Sequence, residues 1–589
     1  MLVFLMITTC IQAQTQVSLI ETKCWKNDSS VFKVVGNVNE KEPHYQITEN
    51  NNSIPLRAGW PVKVGFFPQH PLAVDLTGDG KKEVVVADGD GWLYVFNTYG
   101  QNLSGDWPKK LGNALSSPAI ADIDQDGELE IIVVAKSDWE KNWPNGWVHV
   151  LKINGEYVPG WPYMLDGSHR WSNSVSIGDI NQDGAFNIIT ATGCSFGSEQ
   201  VTIHYDKLYA FYGNGSLLEN WPLRPDSGSG LSRVPRSPLV LVNLNQDSCL
   251  EVVSGFFSKE KPGENVHAVY AVNSGGNTLT GFPVITDYWN WVLASADKDN
   301  DGFYEIYCHG QKYDRFGNKD TSWKTQDGVI SLLAFADVNG NGYPELIYDS
   351  GAVHVVDRYG NELPGWPQYT RPGGDIVDGN PIAGDIDGDG DIEILIGSYY
   401  TTQIFAWHHD GTLVSGFPLN TGGTNDHITI SDLDGDGDIE LISACFDGLV
   451  YVWDIPSTGP CEKMEWPMYQ RDQYRTGTYP SKHGTPVIEE PGKKARSFRL
   501  EQNYPNPFNS QTTIRFHLET GINRLSLHLF NVRGELIRTL SENRIFASGS
   551  HEILWDGKNK DGVDVPSGLY LVVMRDGVKK AMRKVLLVR

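Results

Sequence analysis

The chain has 589 residues, of which 40% are hydrophobic and 21% charged, which is typical of globular proteins and excludes disordered or multi-span membrane proteins. The formal net charge of -25 disfavours binding to nucleic acid or to anionic membranes. The 62 glycines and 31 prolines predict many turns between short strands. The 7 cysteines form no C-x-x-C motif, which argues against a zinc site and a disulfide framework.

The first predicted element is the remnant of a signal peptide, residues 1–13. Residues 2–11 are apolar, and cleavage is expected after Ala13. No other apolar run reaches the roughly 18 residues of a membrane-spanning helix, so we expect no transmembrane segment. We therefore predict a monomeric protein that is secreted or held on the outer cell surface. Residues 14–58 are polar and receive no assignment.

A repeated unit fills residues 59–479. Aromatic marks, mostly Trp-Pro, bound eight units, and they lie at Trp60, Trp107, Trp161, Trp221, Phe282, Trp323, Trp366, Phe417 and Trp466. Each unit reads as a strand of small residues, an acidic loop, an apolar strand and a hairpin into an aromatic strand. Such a unit cannot bury its own faces, and radial closure hides both faces and edges. We predict an all-β fold, an eight-bladed β-propeller with seven blades as the alternative, and tryptophans packed between blades.

The first turn of each unit approximates D-x-D-x-D-G-x-x-E. Alternating oxygens on a tight glycine-containing loop are the ligands that Ca²⁺ prefers, so the loops predict structural calcium sites. Four loops are complete: Asp122, Asp124, Asp126 and Glu130; Asp297, Asp299, Asp301 and Glu305; Asp385, Asp387, Asp389 and Glu393; Asp432, Asp434, Asp436 and Glu440.

The other four loops depart from this pattern. Weaker sites are expected in units one and six, with ligands Asp75, Asp79 and Glu83 in the first and Asp337, Asn339, Asn341 and Glu345 in the sixth. In unit three the candidate ligands are Asp179, Asn181 and Asp183, and Asn187 replaces the final acid. In the fourth unit Ser248 replaces the glycine, so this loop is predicted to be empty. No cofactor other than Ca²⁺ is expected.

The second unit carries a resemblance to a known family. Residues 121–124 read Ala-Asp-Ile-Asp, and Gly127, Glu130 and the Gly-Trp-Pro of residues 160–162 follow. This pattern resembles the FG-GAP or VCBS-type calcium-loop propeller repeat, which is also similar to the head of integrin α subunits. The resemblance implies calcium-stabilised blades and an extracellular binding role.

The C-terminal region, residues 498–589, follows a linker at residues 480–497 and carries more Lys and Arg than Asp and Glu. Its apolar residues alternate with period two, which predicts a β-sandwich. The opening at residues 500–509, Leu-Glu-Gln-Asn-Tyr-Pro-Asn-Pro-Phe-Asn, resembles the type A sorting domain of the type IX secretion system. The region is also similar to the Ig-like domain of flagellar hook-capping proteins. The resemblance implies export through the type IX secretion machinery.

A ligand surface is predicted on the face opposite to the acidic loops, where units two to four carry insertions. Aromatic and basic side chains there suit sugars, acidic glycans or peptides. The candidate residues are Trp139, Trp143, His169, Arg170, Trp171, His204, Tyr205, Arg233, Arg236, Trp289 and Trp291. The predicted partner is an extracellular glycan or protein.

Enzymatic activity is left open, and the sequence favours a protein without catalytic residues. A G-x-S-x-G at residues 193–197 is followed by strand-like alternation, whereas a nucleophile elbow opens a helix. The predicted function is therefore recognition or adhesion. One alternative is a polysaccharide lyase of the rhamnogalacturonan-lyase type, and another is a structural surface component without a soluble ligand.

Overall fold

The computed structural model describes residues 54–136, 146–166, 175–192, 207–224, 233–235, 237–245, 247, 249–261, 264–286, 292–323, 333–370, 379–398, 401–423, 427–459, 461, 463–480, 498–500, 503–518, 522–531, 536–546, 549–560, 562–575 and 580–589. Every regular element in these segments is a β-strand. The same segments contain no helix that is long and apolar enough to cross a membrane.

The repeat region forms eight sheets that follow the eight sequence units, and they are numbered 1 to 8 in chain order. Strand β1 is Val62–Lys63. Sheet 1 contains β2 (Leu72–Val74), β3 (Glu83–Ala87), β4 (Trp92–Phe96) and β5 (Lys109–Lys110). Sheet 2 contains β6 (Ala114–Leu115), β7 (Ala119–Ala121), β8 (Glu130–Lys136), β9 (Trp147–Leu151) and β10 (Tyr163–Met164).

Sheets 3 and 4 differ in size. Sheet 3 contains β11 (Ser176–Gly178), β12 (Asn187–Ala191) and β13 (Leu208–Phe211). Sheet 4 contains β14 (Arg233–Pro235), β15 (Val240–Val242), β16 (Glu251–Lys261), β17 (Glu264–Val272) and β18 (Val284–Thr286). The insertion predicted in unit four is therefore a longer β16–β17 hairpin, against which β14 pairs.

The remaining sheets repeat the same antiparallel order. Sheet 5 contains β19 (Leu293–Ala296), β20 (Glu305–Cys308) and β21 (Gln311–Tyr313), and sheet 6 contains β22 (Leu333–Ala336), β23 (Glu345–Asp349) and β24 (Val353–Val356). Sheet 7 contains β25 (Ile382–Gly384), β26 (Glu393–Gly397), β27 (Gln403–Trp407) and β28 (Leu419–Asn420). Sheet 8 contains β29 (His427–Ser431), β30 (Ile439–Ala444) and β31 (Leu449–Ile455).

The N-terminal strand completes the last sheet. Strand β1 pairs antiparallel with β31, with Val62 opposite Val450. Leu56 forms a further antiparallel bridge with Trp453. The two ends of the repeat region thus share one sheet, as the strands of a closed ring do, and sheet 8 gains its fourth strand from the start of the region.

The periodic tryptophans pack between neighbouring sheets, as their spacing predicts. The indole N–H groups of Trp60 and Trp161 donate to the carbonyl oxygens of Thr98 and Gly213 at 3.1 Å and 2.8 Å, and each acceptor lies in the following sheet. Trp107, Trp221 and Trp366 make the equivalent bonds to Ile153, Ser274 and His409. All five indoles are buried. These five tryptophans therefore satisfy their only polar group across a sheet-to-sheet boundary, whereas the Trp323 indole donates to Gly310 within its own unit at 3.2 Å.

Residues 463–479, here called the axial segment, run past the inner strands of successive sheets. Its backbone carbonyls accept hydrogen bonds from residues of sheets 7, 8, 2, 3, 4 and 5: Ala383, Ile430, Ile120, Ile177, Leu241 and Ser295. Its last part forms β32 (Thr478–Tyr479), which pairs parallel with β19. One segment can reach six inner strands only if they surround it. The axial segment therefore occupies the centre of the ring.

A fully buried arginine fixes this segment. Arg475 donates from Nε to the carbonyl oxygen of Pro118 at 2.9 Å, from Nη1 to Tyr469 at 2.6 Å and from Nη2 to His70 at 3.3 Å. Burial lowers the pKa of Arg475 to about 10, so it stays charged at neutral pH. Carbonyl oxygens from three parts of the chain thus share one cation.

A buried histidine lies beside this arginine. His70 Nδ1 is 3.0 Å from Ser117 Oγ, its Nε2 contacts Asn380, and its ring stacks on Tyr469 with centroids 3.9 Å apart. Burial lowers the pKa of His70 well below its ordinary value, and nearby His427 and Arg475 lower it further. The imidazole is therefore neutral in the folded protein.

We expect the stabilising contribution of His70 to shrink as the pH falls below about 6.5, because the imidazole gains a proton only in the unfolded chain. Between pH 7.5 and 5.5 the loss is about 1.4 kcal/mol of unfolding free energy. Urea unfolding of the natural protein and of His70→Gln at pH 7.5 and 5.5 measures this effect. The gap between the two proteins should narrow at pH 5.5, and a gap independent of pH would contradict the expectation.

The C-terminal region forms two further sheets. One contains β33 (Phe498–Leu500), β34 (Thr512–Leu518) and β37 (Gly549–Trp555), and the other contains β35 (Ile522–Asn531), β36 (Leu536–Phe546), β38 (Gly568–Arg575) and β39 (Lys580–Leu587). Ile514 and Phe516 of the first sheet share one buried cluster with Leu527 and Val572 of the second. The predicted period-two alternation thus turns one face of each sheet toward a common core.

Candidate metal sites in the acidic loops

Each acidic loop follows the inner strand of its sheet and is closed by the same hydrogen bond. The carboxylate at the ninth loop position accepts the backbone N–H of the second position, seven residues earlier. The acceptors are Glu83, Glu130, Glu251, Glu305, Glu345, Glu393 and Glu440, and in the third loop the side-chain oxygen of Asn187 takes this place. The ninth residue therefore has a structural role of its own, which the metal interpretation of the sequence missed.

The sixth loop position turns the chain back. In the second loop Gly127 has φ +91°, and its N–H donates to Asp122 Oδ2 at 3.1 Å. A side chain at such a φ is strained, so glycine is favoured there. The first aspartate is thereby held against the turn, with its second oxygen directed into the loop.

Carboxyl oxygens converge in the four loops whose sequences are complete. In each of them three oxygens from different residues lie within 4.8 Å of one another: Asp122, Asp124 and Glu130; Asp297, Asp299 and Asp301; Asp385, Asp387 and Asp389; Asp432, Asp434 and Glu440. The fourth predicted ligand of these loops, Asp126, Glu305, Glu393 and Asp436 respectively, is not part of the same group of three.

The second loop offers oxygens that lack any protein partner. Asp122 Oδ1 and Glu130 Oε1 are buried and accept no hydrogen bond. Burial, with the neighbouring carboxylates, raises the pKa of Glu130 to about 8. Lys152 partly neutralises the negative charge of the loop, since its Nζ lies 2.6 Å from Asp126 Oδ2 and 3.8 Å from Asp124 Oδ2. A hard cation between Asp122 and Glu130 would satisfy both buried oxygens, so this loop fits calcium.

The seventh loop has a histidine at its edge. His408 Nδ1 lies 3.2 Å from Glu393 Oε1 and 3.9 Å from Asp387 Oδ2. The residue follows β27 and lies opposite the loop glutamate, the position that Lys152 holds in sheet 2. Sequence reasoning missed both residues, although the position after the third strand recurs in every unit and marks them.

The lysine of the fifth loop does not pair with the carboxylates of its own loop. Lys298 occupies the second loop position, but its Nζ donates to the carbonyl oxygens of Val356 and Asp357 in unit six at 3.1 Å and 2.9 Å. The side chain is fully buried and lies over the Trp323 ring. The lysine therefore does not neutralise the converging carboxylates of Asp297, Asp299 and Asp301. It links sheets 5 and 6 instead.

An arginine enters the eighth loop. Arg57 Nη1 lies 2.8 Å from both Glu440 Oε1 and Asp454 Oδ1, and Nη2 contacts Asp434 Oδ2. Arg57 comes from the segment before β1, about which the sequence predicted nothing. The eighth loop thus already contains a cation.

In two of the incomplete loops an asparagine amide donates to the glutamate oxygen that is unpaired in the second loop. In the fourth and sixth loops, Asn245 and Asn339 each donate from Nδ2 to the second oxygen of the ninth-position glutamate at 3.0 Å. Three convergent carboxyl oxygens do not occur in the first, third, fourth or sixth loop within the described residues. An internal N–H there meets the need that a cation would meet in the second loop.

An exposed aromatic cluster, formed by Phe66, Phe67 and Phe446, lies at the opposite ends of the strands. Phe66 and Phe67 connect β1 to β2, and Phe446 lies in the β30–β31 turn. Ring centroids are 4.1 Å apart for Phe66–Phe67 and 5.0 Å for Phe67–Phe446. Phe66 is 55% exposed and Phe67 44%, and Phe67 has φ +51°. Two hydrogen bonds from the Gly89 N–H to Phe66 and Phe67 hold this strained turn.

The predicted ligand-face residues lie outside the described residues. These are Trp139, Trp143, His169, Arg170, Trp171, His204, Tyr205, Arg236, Trp289 and Trp291. Arg233 lies in β14, but its side chain is not described. That prediction stays as it was made, and the aromatic cluster at the junction of sheets 8 and 1 is an addition to it.

Comparison with protein families assigns two parts of the chain. The FG-GAP-like repeat model matches residues 75–133 and 385–443, which include the first, second, seventh and eighth loops. The FlgD Ig-like domain model matches residues 505–577. The chain contains FG-GAP-like repeats and a FlgD Ig-like domain. Each match runs from the acidic loop of one unit through that of the next, from unit one into unit two and from unit seven into unit eight.

Solved structures give weaker likenesses. The V. cholerae biofilm matrix protein Bap1 is 13% identical, with a TM-score of 0.40 and coverage of 75% of this chain and 100% of that chain. The rhamnogalacturonan lyase YesW is 13% identical, with a TM-score of 0.41 and coverage of 74% and 100%. A search of curated proteins finds no match. The repeat assignment rests on the family models.

Proposed function

We propose that the protein is a calcium-stabilised, eight-bladed β-propeller with an Ig-like C-terminal sandwich, and that it binds an extracellular glycan or protein. The eight successive sheets, closed by β1, support the blade number. The two C-terminal sheets with a common core support the sandwich. The observation that carries the binding role is the exposed aromatic cluster on the face opposite to the acidic loops.

Calcium would be held by the second, fifth and seventh loops. Their convergent carboxylates supply the hard oxygen ligands that calcium prefers, and they repel one another without a cation. The ion would stiffen the turn between the first two strands of a blade, and no chemistry is assigned to it. Calcium concentrations in extracellular fluids, near millimolar, suffice for sites of this kind.

The aromatic cluster is suited to recognition because it is exposed, rigid and centred on a strained turn. Backbone strain of about 1–3 kcal/mol at a bulky residue persists only where the surrounding structure enforces it, and such residues concentrate at binding sites. Apolar ring faces stack on sugar rings or on apolar side chains of a protein partner. The Phe66–Phe67 pair therefore belongs to the proposed ligand face.

A retention panel tests the binding role. The protein, with calcium present, is passed over immobilised glycans and extracellular proteins, and unsaturated-uronate absorbance is followed in parallel. Retention that Phe66→Ser weakens at least tenfold is expected, whereas Tyr99→Ser should bind like the natural protein. Tyr99 is the matched control because it is 50% exposed and lies in the loop-side turn after β4. Absorbance growth would favour the lyase, and retention unaffected by Phe66→Ser would remove the cluster from the site.

We also propose that residues 498–589 direct export through a type IX secretion machinery to the cell surface or the medium. The FlgD Ig-like match over residues 505–577 and the opening at residues 500–509 support this role. Deletion of residues 498–589 in the producing cell is the test. The truncated chain should accumulate inside the cell, and normal delivery outside would contradict the proposal.

A further inference from the structure

Arg57 is fixed to sheet 8 by its backbone as well as by its side chain. Its N–H donates to the carbonyl oxygen of Val452 at 2.8 Å, and the N–H of Asp454 donates to Pro55 at 3.2 Å. These bonds extend the β1–β31 pairing toward the acidic loop. The guanidinium therefore enters the loop from a defined backbone position, five residues before β1.

The guanidinium is surrounded by acceptors. Nη1 is bound by the carboxylates of Glu440 and Asp454, Nη2 by that of Asp434, and Nε donates to the carbonyl oxygen of Thr98 at 3.2 Å. The arginine side chain is only 9% exposed. Three carboxylates and one carbonyl thus coordinate this cation as they would coordinate a metal ion.

The seventh loop provides the contrast. Its residues Asp385, Asp387, Asp389 and Glu393 correspond one to one with those of the eighth loop. Across from Glu393 lies His408, whereas across from Glu440 lies a further carboxylate, Asp454. Two loops of identical acidic pattern therefore differ in the basic side chain that contacts them, because the N-terminal segment supplies Arg57 to the eighth.

We propose that Arg57 is the resident cation of the eighth loop, and that this loop fastens the N-terminal segment to sheet 8 instead of binding calcium. Glu440 Oε1 and Asp434 Oδ2, two oxygens that calcium would need, already bind the guanidinium. A divalent ion on the same oxygens would lie a few ångströms from the arginine charge and be repelled by it. The arginine contacts themselves hold whether or not the other loops bind calcium.

The number of bound calcium ions tests the assignment. Equilibrium dialysis of the full chain with calcium is compared for the natural protein, Arg57→Gln, Asp434→Asn and the matched control Asp387→Asn. Arg57→Gln should bind one ion more, because it frees the loop, and Asp434→Asn should leave the number unchanged. Asp387→Asn should lose one ion. Loss of one ion in Asp434→Asn would overturn the proposal, since the eighth loop would then be a calcium site.

Stability in a chelator separates this inference from the proposed calcium sites. In EGTA, Arg57→Gln should melt about 3–6 °C below the natural protein, because it leaves the buried Glu440 carboxylate without its cation. Asp434→Asn should lower the melting temperature by less, because the Asp434 side chain is 23% exposed. The double variant should lose less than the sum of the two. If the natural protein binds no calcium, the calcium proposal fails. The non-additive loss in the double variant would still test whether Arg57 fastens the N-terminal segment to sheet 8. Additive losses, or unchanged melting, would overturn the fastening role.

Discussion

Chelation of calcium should lower the melting temperature of the protein by about 9 °C. If three loops are filled at free calcium a hundredfold above Kd, each contributes about 2.7 kcal/mol by mass action, or about 8 kcal/mol in total. For a repeat region of roughly 420 residues this corresponds to about 9 °C. The physical reason lies in the buried acceptors, such as Asp122 Oδ1 and Glu130 Oε1, which have no protein partner.

Thermal unfolding in calcium and in EGTA measures this shift. Asp122→Asn and Asp387→Asn should each reduce the calcium-dependent part by about one third, because each removes one site. Asp183→Asn is the control, since three carboxyl oxygens do not converge in the third loop among the described residues. Equal melting temperatures in calcium and EGTA would contradict the calcium interpretation of all the loops.

The repeat architecture could be predicted from the sequence because its causes are local and periodic. The acidic loop motif, such as Asp385–Glu393, spans only nine residues. The tryptophan of the mark, such as Trp161, recurs at the same place in most units. Repetition lets one unit correct the interpretation of another. The eight sheets and the buried tryptophans follow from such signals.

The cation partners of the loops could not be predicted in the same way. Arg57 and Glu440 are 383 residues apart, and only the pairing of β1 with β31 brings them together. Lys152 and His408 lie closer to their loops, but they share only a position and not a residue type. The four complete loops have the same acidic pattern, but the structure places a lysine beside the second, a histidine beside the seventh and an arginine beside the eighth.

The axial segment was also beyond a unit-by-unit interpretation. Its residues lie around and beyond the last aromatic mark, Trp466, and their hydrogen bonds depend on the position of six inner strands at once. Strand β1 completes sheet 8, whereas the axial segment lies at the centre of the ring. The central position gives Arg475 its burial and its three carbonyl partners.

Replacement of that arginine should be the most damaging single substitution in the repeat region. Arg475→Met keeps much of the side-chain volume but leaves the carbonyl oxygens of Pro118, Tyr469 and His70 without their donor. Leaving buried acceptors without a donor and removing a buried cation should lower the free energy of unfolding by about 3–5 kcal/mol. We expect urea unfolding to show a loss of unfolding free energy of about that size.

Arg471→Met is the matched control, because it removes the same group four residues earlier in the same segment. The Arg471 side chain is 23% exposed, and its Nη1 lies 3.2 Å from Asp472. Partly exposed ion pairs are worth about 1 kcal/mol or less, so this variant should unfold close to the natural protein. Equal losses in both variants would mean that the axial segment is held by its backbone bonds and not by Arg475. The larger loss at Arg475 would instead show that one buried cation joins the inner strands of the ring to the segment they surround.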